Sequence, residues 1–226
     1  MEKRDKSLKE LKEMTLDEIL ETVRRVHGHV CTASYLGARM GMLALKKLDI
    51  KRKRDLCATV EVLTCAADGI ASATNCSFGS GRLTFKDYGK FAAIFCDRRT
   101  GKTIRIRCRE DVDEEHIRYG SELAKFYEKV DNLSDEEAEK WRKELFDIED
   151  GLLEKWNKMG DDELFIVSEV KVNPEDMMYP LDTQYITNAI KCARCNDLVE
   201  ERKTVEKDGK RYCRPCAGEG IYKEIK

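Results

Sequence analysis

The chain has 226 residues, of which 41% are hydrophobic and 38% are charged, and its formal net charge is −2. This length allows one sizeable core and a small satellite domain. Residues 1–13 are dominated by Lys and Glu, which excludes a signal peptide, and no stretch reaches the roughly 18 apolar residues of a membrane span. We therefore expect a cytoplasmic protein without membrane contact, whose ten cysteines favour metal sites or redox chemistry over disulfides.

Two helices are predicted near the start of the chain. Apolar residues recur at helical spacing over Leu16–Val26, and Thr15 and Glu18 form the pattern of a capping box. Gly28 predicts a break before the second helix, Thr32–Leu48. The small residues of that helix permit close backbone approach, so we expect it to be buried beside a sheet.

The segment from His27 to Cys31 carries the first chemical signal, because it holds two of the three histidines and a thiol. Extended backbone would turn His27, His29 and Cys31 to one side, whereas a helix would pair only His27 with Cys31. Imidazole and thiolate together bind zinc or other borderline-soft metals, and they also activate a cysteine nucleophile. A buried cysteine beside a surface histidine is the alternative. A position of Cys31 at a helix N-terminus would lower its thiol pKa.

A second segment repeats this chemistry, with Cys65 and Asp68 followed by Cys76. We predict a metal site with an open position whose ligands come from both segments: His27, Cys31, Cys65 and Cys76. His29 or Asp68 is the alternative ligand or base. Lys90 is either a cation for an anionic substrate or an ordinary exposed strand lysine.

Alternation of apolar and polar residues predicts four strands, Cys57–Leu63, Phe91–Cys96, Lys102–Arg107 and Leu164–Val172. The short charged connection Asp97–Gly101 predicts an antiparallel hairpin between the second and third of these. Three further cysteines lack metal-ligand spacing and are predicted to be plain core or edge residues: Cys57, Cys96 and Cys108.

The charge-rich stretch 113–160 is predicted to be helical. Its apolar stripes, which include Trp141 and Trp156, predict packing onto the sheet or against a second copy of the chain, and from Trp141–Trp156 we expect a homodimer. His116 has no evident partner in the sequence and is predicted to be a surface residue.

The strongest chemical signal is a pair of Cys-x-x-Cys motifs near the other end, Cys192–Cys195 and Cys213–Cys216. Four thiolates on two tight loops are the tetrahedral set that structural zinc requires, and they leave no open position. Glu200–Tyr212 between them predicts a hairpin with its turn at Asp208-Gly209. A domain this small would be unfolded without its metal.

The order of these motifs resembles the FmdE family of formylmethanofuran dehydrogenase, in its long form with a zinc-binding tail. The motifs that carry the resemblance are His27-Gly28-His29-Val30-Cys31, Gly37-Ala38-Arg39, Cys65–Ile70, Asn75–Gly81 and Asp87–Phe91. The resemblance implies a thioredoxin-like core, a treble-clef-type zinc finger and a dimer. It also implies an anaerobic, methanogenesis-type setting, with formylmethanofuran dehydrogenase subunits as partners.

The predicted architecture is an α+β core domain over residues 1–185, with a mixed sheet flanked by helices, and a four-cysteine zinc finger over 186–226. Two functions stay open. In one, a second zinc or another transition metal makes the core a metal-dependent or redox enzyme component. In the other, the core cysteines are structural and the chain is an adaptor that presents its finger to a protein partner. The tail, Lys191–Lys226, has ten Lys and Arg against seven Asp and Glu but no series of aromatics, so nucleic acid is the less favoured partner.

Overall fold

The computed structural model describes residues 14–179 and 186–221. The chain divides into two compact units, Met1–Met178 and Tyr179–Lys226, here called the core unit and the tail unit. Within the part of the chain that the structure describes, no helix is both long enough and apolar enough to cross a bilayer.

The core unit contains six α-helices and five strands among its described residues. The helices are α1 (Leu16–His27), α2 (Thr32–Leu48), α3 (Ala66–Thr74), α4 (Glu110–Lys129), α5 (Asp135–Asn157) and α6 (Asp161–Leu164). The strands are β1 (Leu56–Val60), β2 (Leu83–Phe85), β3 (Ala92–Asp97), β4 (Thr103–Cys108) and β5 (Phe165–Glu169). Single 3-10 turns lie at Lys53–Asp55, Val130–Asn132 and Pro174–Met177.

The five strands form one mixed sheet in the order β2-β1-β3-β4-β5. β1 and β2 are parallel and are joined through α3, whereas the other neighbouring pairs are antiparallel. The predicted hairpin between β3 and β4 is confirmed, and Gly101 supplies the left-handed residue of its turn with φ of 73°. The predicted α+β class, a mixed sheet flanked by helices, is therefore confirmed.

Local sequence signals place the first two helices as predicted. The capping box of Thr15 and Glu18 is present at the start of α1. Gly28 ends that helix with φ of 94°, a left-handed conformation that glycine adopts without steric cost. Cys31 is the N-cap of α2, and its N–H donates to the Ser34 hydroxyl at 2.9 Å.

The main core lies between α2, α3 and one face of the sheet. Residues of β1, β3 and β4 that point to this face, including Ala58, Phe95 and Ile106, are fully buried. The opposite face carries Cys57 and Cys96, directly paired across β1 and β3. Those two thiols and Cys108 are buried, as predicted.

α4 and α5 pack against each other through a separate apolar cluster that includes Phe126 and Leu145. Trp156 is fully buried in the main core, and Trp141 packs edge-on against Phe126 with ring centroids 5.6 Å apart. Much of the predicted aromatic stripe is thus covered within the chain. Four large apolar side chains on the two helices stay at least 47% exposed: Ile117, Tyr127, Phe146 and Ile148.

Two small strand pairs build the tail unit. They are β6 (Ala189–Lys191) with β7 (Leu198–Glu200), and β8 (Thr204–Lys207) with β9 (Lys210–Cys213), each antiparallel. The predicted turn between β8 and β9 is confirmed, with φ of 51° at Asp208 and 70° at Gly209. Positive φ at both central residues is the geometry that favours Asp-Gly in a tight hairpin.

Candidate metal centres

Close contact of two helices brings the core thiols together. A Cβ added at Gly37 in α2 would lie 2.2 Å from the Ala66 carbonyl oxygen, and one added at Gly69 in α3 would lie 2.0 Å from the Ser34 carbonyl oxygen. The two backbones therefore touch near the N-terminal ends of both helices. Cys31 and Cys65 are the N-caps of these helices, so the contact places their thiols side by side.

His27, Cys31 and Cys65 form a group whose ligand atoms all lie within 4.8 Å of one another. The Nδ1 atom of His27 lies 2.8 Å from the Asp68 carboxylate, which fixes the ring and favours the tautomer with its proton on Nδ1. Nε2 of His27 is buried and, among the described residues, has no hydrogen-bond partner. A buried nitrogen lone pair beside two thiols is the donor set that zinc accepts, and three protein ligands leave a fourth position open.

The charge on the two thiols is unequal. Hydrogen bonding from Cys65 lowers the pKa of Cys31 to about 4, against the raising effect of burial, and Ser34 and the nearby His27 lower it further. The pKa of Cys65 is raised, chiefly because it keeps the proton that the two sulfurs share. One thiolate is thus present at neutral pH before any metal binds, and metal binding would displace the second proton.

The other predicted site residues lie at different distances from this group. His29 is exposed, and its ring centroid is 4.9 Å from that of His27. Asp68 contacts His27, whereas Lys90 is exposed in the loop before β3. The structure does not bring Cys76 to the cluster, since its thiol is buried and contacts the Leu56 carbonyl oxygen at 3.4 Å.

The position of Cys76 has a geometric cause. It follows α3, and Cys65 precedes that helix. A helix of nine residues rises about 13 Å along its axis, so thiols flanking its two ends cannot meet at one ion.

His116 was predicted to be a surface residue without an evident partner, but the structure makes it half-buried and gives it partners. Its Nδ1 lies 3.2 Å from the Thr32 hydroxyl, and its ring packs against Phe91 with centroids 4.5 Å apart. Burial lowers the pKa of His116. The sequence gives no signal for this position because its partner Thr32 is 84 positions away in the chain.

Glu149 is a second residue that the sequence did not single out. Its carboxylate is buried and accepts a hydrogen bond of 3.1 Å from the backbone N–H of Thr32, in the first turn of α2. Burial raises the pKa of Glu149. A carboxylate at this end accepts a hydrogen bond from an otherwise unpaired backbone N–H, and its negative charge is stabilised by the positive end of the helix dipole.

Selective alkylation should reveal the lowered pKa of Cys31. In metal-free protein at about pH 6, Cys31 should react before Cys57, Cys96 and Cys108, because it is already a thiolate and these three are buried. Added zinc should suppress the labelling. Mass spectrometry of the labelled peptides measures the order. Equal labelling of all four thiols would contradict the lowered pKa of Cys31, and a labelling rate unaffected by zinc would show that Cys31 is no metal ligand.

The tail unit holds the second group, Cys192, Cys195, Cys213 and Cys216, whose sulfurs also lie within 4.8 Å of one another. The sulfurs of Cys195 and Cys213 are 3.8 Å apart. This separation matches tetrahedral zinc, in which Zn–S bonds of about 2.3 Å place the sulfurs about 3.8 Å from each other. Backbone N–H groups of Arg194 and Cys213 donate to the Cys192 sulfur at 3.5 and 3.3 Å, which favours a thiolate there.

Known proteins resemble this chain in sequence over most of its length. The family model described as FmdE, molybdenum formylmethanofuran dehydrogenase operon, matches residues 26–166. A probable S-adenosyl-L-methionine-binding protein of Archaeoglobus fulgidus is 28% identical over 220 residues, which cover 90% of this chain and 53% of that protein. The chain therefore spans about half the length of that relative.

A solved structure resembles the chain in fold. It is the crystal structure of a tungsten formylmethanofuran dehydrogenase FmdE-like protein from Syntrophus aciditrophicus. It superposes with a TM-score of 0.60 over 94% of this chain and 97% of that one, at 20% sequence identity. At this identity the likeness establishes a shared fold.

Proposed function

Because the chain belongs to the FmdE family, we propose that it is a metal-binding subunit or accessory protein related to the FmdE component of formylmethanofuran dehydrogenase. In this proposal the core unit holds a zinc or another transition ion with an open position. The tail unit holds a structural zinc. The protein would act in the cytoplasm, in a one-carbon, methanogenesis-type setting.

The hydrogen bonding of the two His27 ring nitrogens is the observation that supports the proposal. Its Nδ1 is held by Asp68 at 2.8 Å, while its buried Nε2 has no hydrogen-bond partner among the described residues. An unpaired buried nitrogen costs free energy unless an ion or a water satisfies it. Two thiols within 4.8 Å make a metal ion the occupant that fits.

The roles we propose follow from position. An ion held by His27, Cys31 and Cys65 would act as a Lewis acid toward a group in its fourth position. Asp68 orients the His27 ring and is therefore a positioning residue. In this proposal His29, exposed beside that ring, would exchange a proton with solvent, and Lys90 would present a cation to an anionic substrate.

Metal content per chain tests this proposal. Elemental analysis of the wild-type chain should find two metal ions. Cys31→Ser and His27→Ala should each lose one ion and keep the tail zinc, whereas Cys76→Ala should keep both. Asp68→Asn should weaken the core site about 10- to 100-fold in affinity, since it removes the charged partner of His27.

A single ion, lost only when the tail cysteines are replaced, would contradict the core site and favour the adaptor function. Cys76→Ala is the control for Cys31→Ser because it too removes a thiol of the core unit. Loss of the second ion in Cys76→Ala as well would mean that ion loss does not report ligation, and the assignment of His27 and Cys31 as ligands would then lose its support.

We also propose a homodimer and a contact with formylmethanofuran dehydrogenase subunits. The exposed apolar residues of α4 and α5, Tyr127 and Phe146 among them, support the dimer. Sedimentation should show a dimer at micromolar concentration, and Phe146→Lys should shift it to monomer. A monomer in the wild-type chain would exclude the dimer. Affinity capture from native cells tests for the dehydrogenase subunits.

A further inference from the structure

A cavity of about 370 Å³ opens near the group formed by His27, Cys31 and Cys65. Thr64 in its wall directly precedes Cys65 in the chain. His116, also in its wall, contacts Thr32, the residue after Cys31. Its volume lies within the range of sites for small molecules, and apolar side chains such as Phe91 form part of its lining.

Two cations in the cavity wall lack a carboxylate partner. Among the residues that the structure describes, neither the Lys90 ammonium nor the Arg107 guanidinium lies within 4.0 Å of a carboxylate oxygen. Arg105, a third cation in the wall, differs, because the buried Glu61 carboxylate accepts two hydrogen bonds from it at 2.6 and 2.7 Å. Lys90 and Arg107 are therefore the cations of the wall that no ion pair holds.

The backbone holds Lys90 at the cavity. The N–H groups of Tyr88 and Lys90 donate to the Glu61 carbonyl oxygen at 2.9 and 3.4 Å. Gly89 between them has φ of 61°, a conformation that other residues rarely adopt. Since the Glu61 side chain is itself fixed by Arg105, the loop that carries Lys90 is anchored to the sheet.

The same cavity contains an unpaired acceptor. Oδ1 of Asp113 is buried and has no hydrogen-bond partner among the described residues. Burial raises the pKa of this carboxyl group, against the lowering effect of Arg107. A hydroxyl or amino group of a bound molecule would satisfy this oxygen once the Asp113 side chain turns it toward the cavity.

We propose that this cavity binds a small organic acid that carries a hydroxyl or amino group. Lys90 and Arg107 bind its carboxylate, and Asp113 accepts a hydrogen bond from its hydroxyl or amino group. The molecule lies next to the metal position formed by His27, Cys31 and Cys65. Only this last placement rests on the proposed metal site, because the contacts of the cavity residues do not depend on a metal.

Lactate and propionate are suitable probes because they differ by one hydroxyl group. Ligand-observed NMR titration of the full-length, zinc-loaded chain should show saturable binding of lactate. Lys90→Gln and Arg107→Gln should each weaken it about tenfold or more, since each removes a charge-assisted hydrogen bond. The matched exposed controls Lys86→Gln and Arg118→Gln should stay within about twofold of wild type.

Propionate should bind more weakly than lactate to wild type, and Asp113→Ala should abolish that difference. Absence of saturable lactate binding, or equal affinity in Lys90→Gln, Arg107→Gln and wild type, would overturn the proposal. The titration is repeated on chains shown by elemental analysis to lack core metal. If those chains bind lactate and the variants weaken it in the same way, the cavity proposal holds even where the metal proposal fails. Failure of one proposal is thus distinguishable from failure of the other.

Discussion

Alanine at Gly37 or Gly69 should destabilise the core unit by about 3 kcal/mol and abolish metal binding at the proposed core site. Each added Cβ would meet backbone atoms of the other helix, at 2.2 Å from the Ala66 carbonyl oxygen and 2.0 Å from the Ser34 carbonyl oxygen. Backbone cannot rotate away as a side chain can. The helices must therefore separate, and the thiols of Cys31 and Cys65 would separate with them.

Urea unfolding gives the loss of stability, and elemental analysis gives the loss of metal. Gly120→Ala is the matched control, because Gly120 lies within α4 and a Cβ there meets nothing within 4 Å. That variant should gain about 0.5–1 kcal/mol, as alanine is the better helix former. A Gly37→Ala chain as stable as the Gly120→Ala control, with both metals retained, would refute the role of this helix contact.

Replacement of Cys213 by serine should unfold the tail unit and leave the core unit intact. The tail's described residues include only two largely buried apolar positions, Cys192 and Cys213, and both are proposed ligands. Structural zinc contributes about 10–16 kcal/mol to folding in small zinc domains, far more than such a core could replace.

Limited proteolysis followed by mass spectrometry checks this result. In Cys213→Ser, cleavage should begin beyond about residue 186 at low protease, while a fragment that contains the core unit persists. Cys31→Ser serves as the control, since it removes a proposed ligand of the core site and should leave the tail resistant. A Cys213→Ser tail as resistant as that of wild type would argue against structural zinc.

Local patterns predicted the elements that depend on neighbouring residues. The capping box at Thr15, the break at Gly28, the turn at Asp208 and the N-cap position of Cys31 all follow from residues within a few positions of each other. Strand ends were less well predicted. β1 ends at Val60, whereas the alternation of apolar and polar residues predicted a strand as far as Leu63, a residue that is 73% exposed.

Contacts between distant segments could not be read from the same patterns. α3 was not predicted, since its nine residues are mostly small and carry little helical periodicity. Without that helix, nothing in the spacing separates Cys65 from Cys76. The partners of His116 and Glu149 are 84 and 117 positions away, a separation that composition and periodicity do not report.

The cap that Glu149 provides to α2 bears on the order in which the two units can acquire the ions proposed for them. The hydrogen bond to Thr32 spans 117 positions, and that between His27 and Asp68 spans 41. Contacts of long sequence separation form late in folding, because loop closure costs entropy before the contact forms. In the tail, Cys195 and Cys213 are only 18 positions apart. We therefore expect the tail unit, although it is synthesised after the core unit, to capture its proposed metal first.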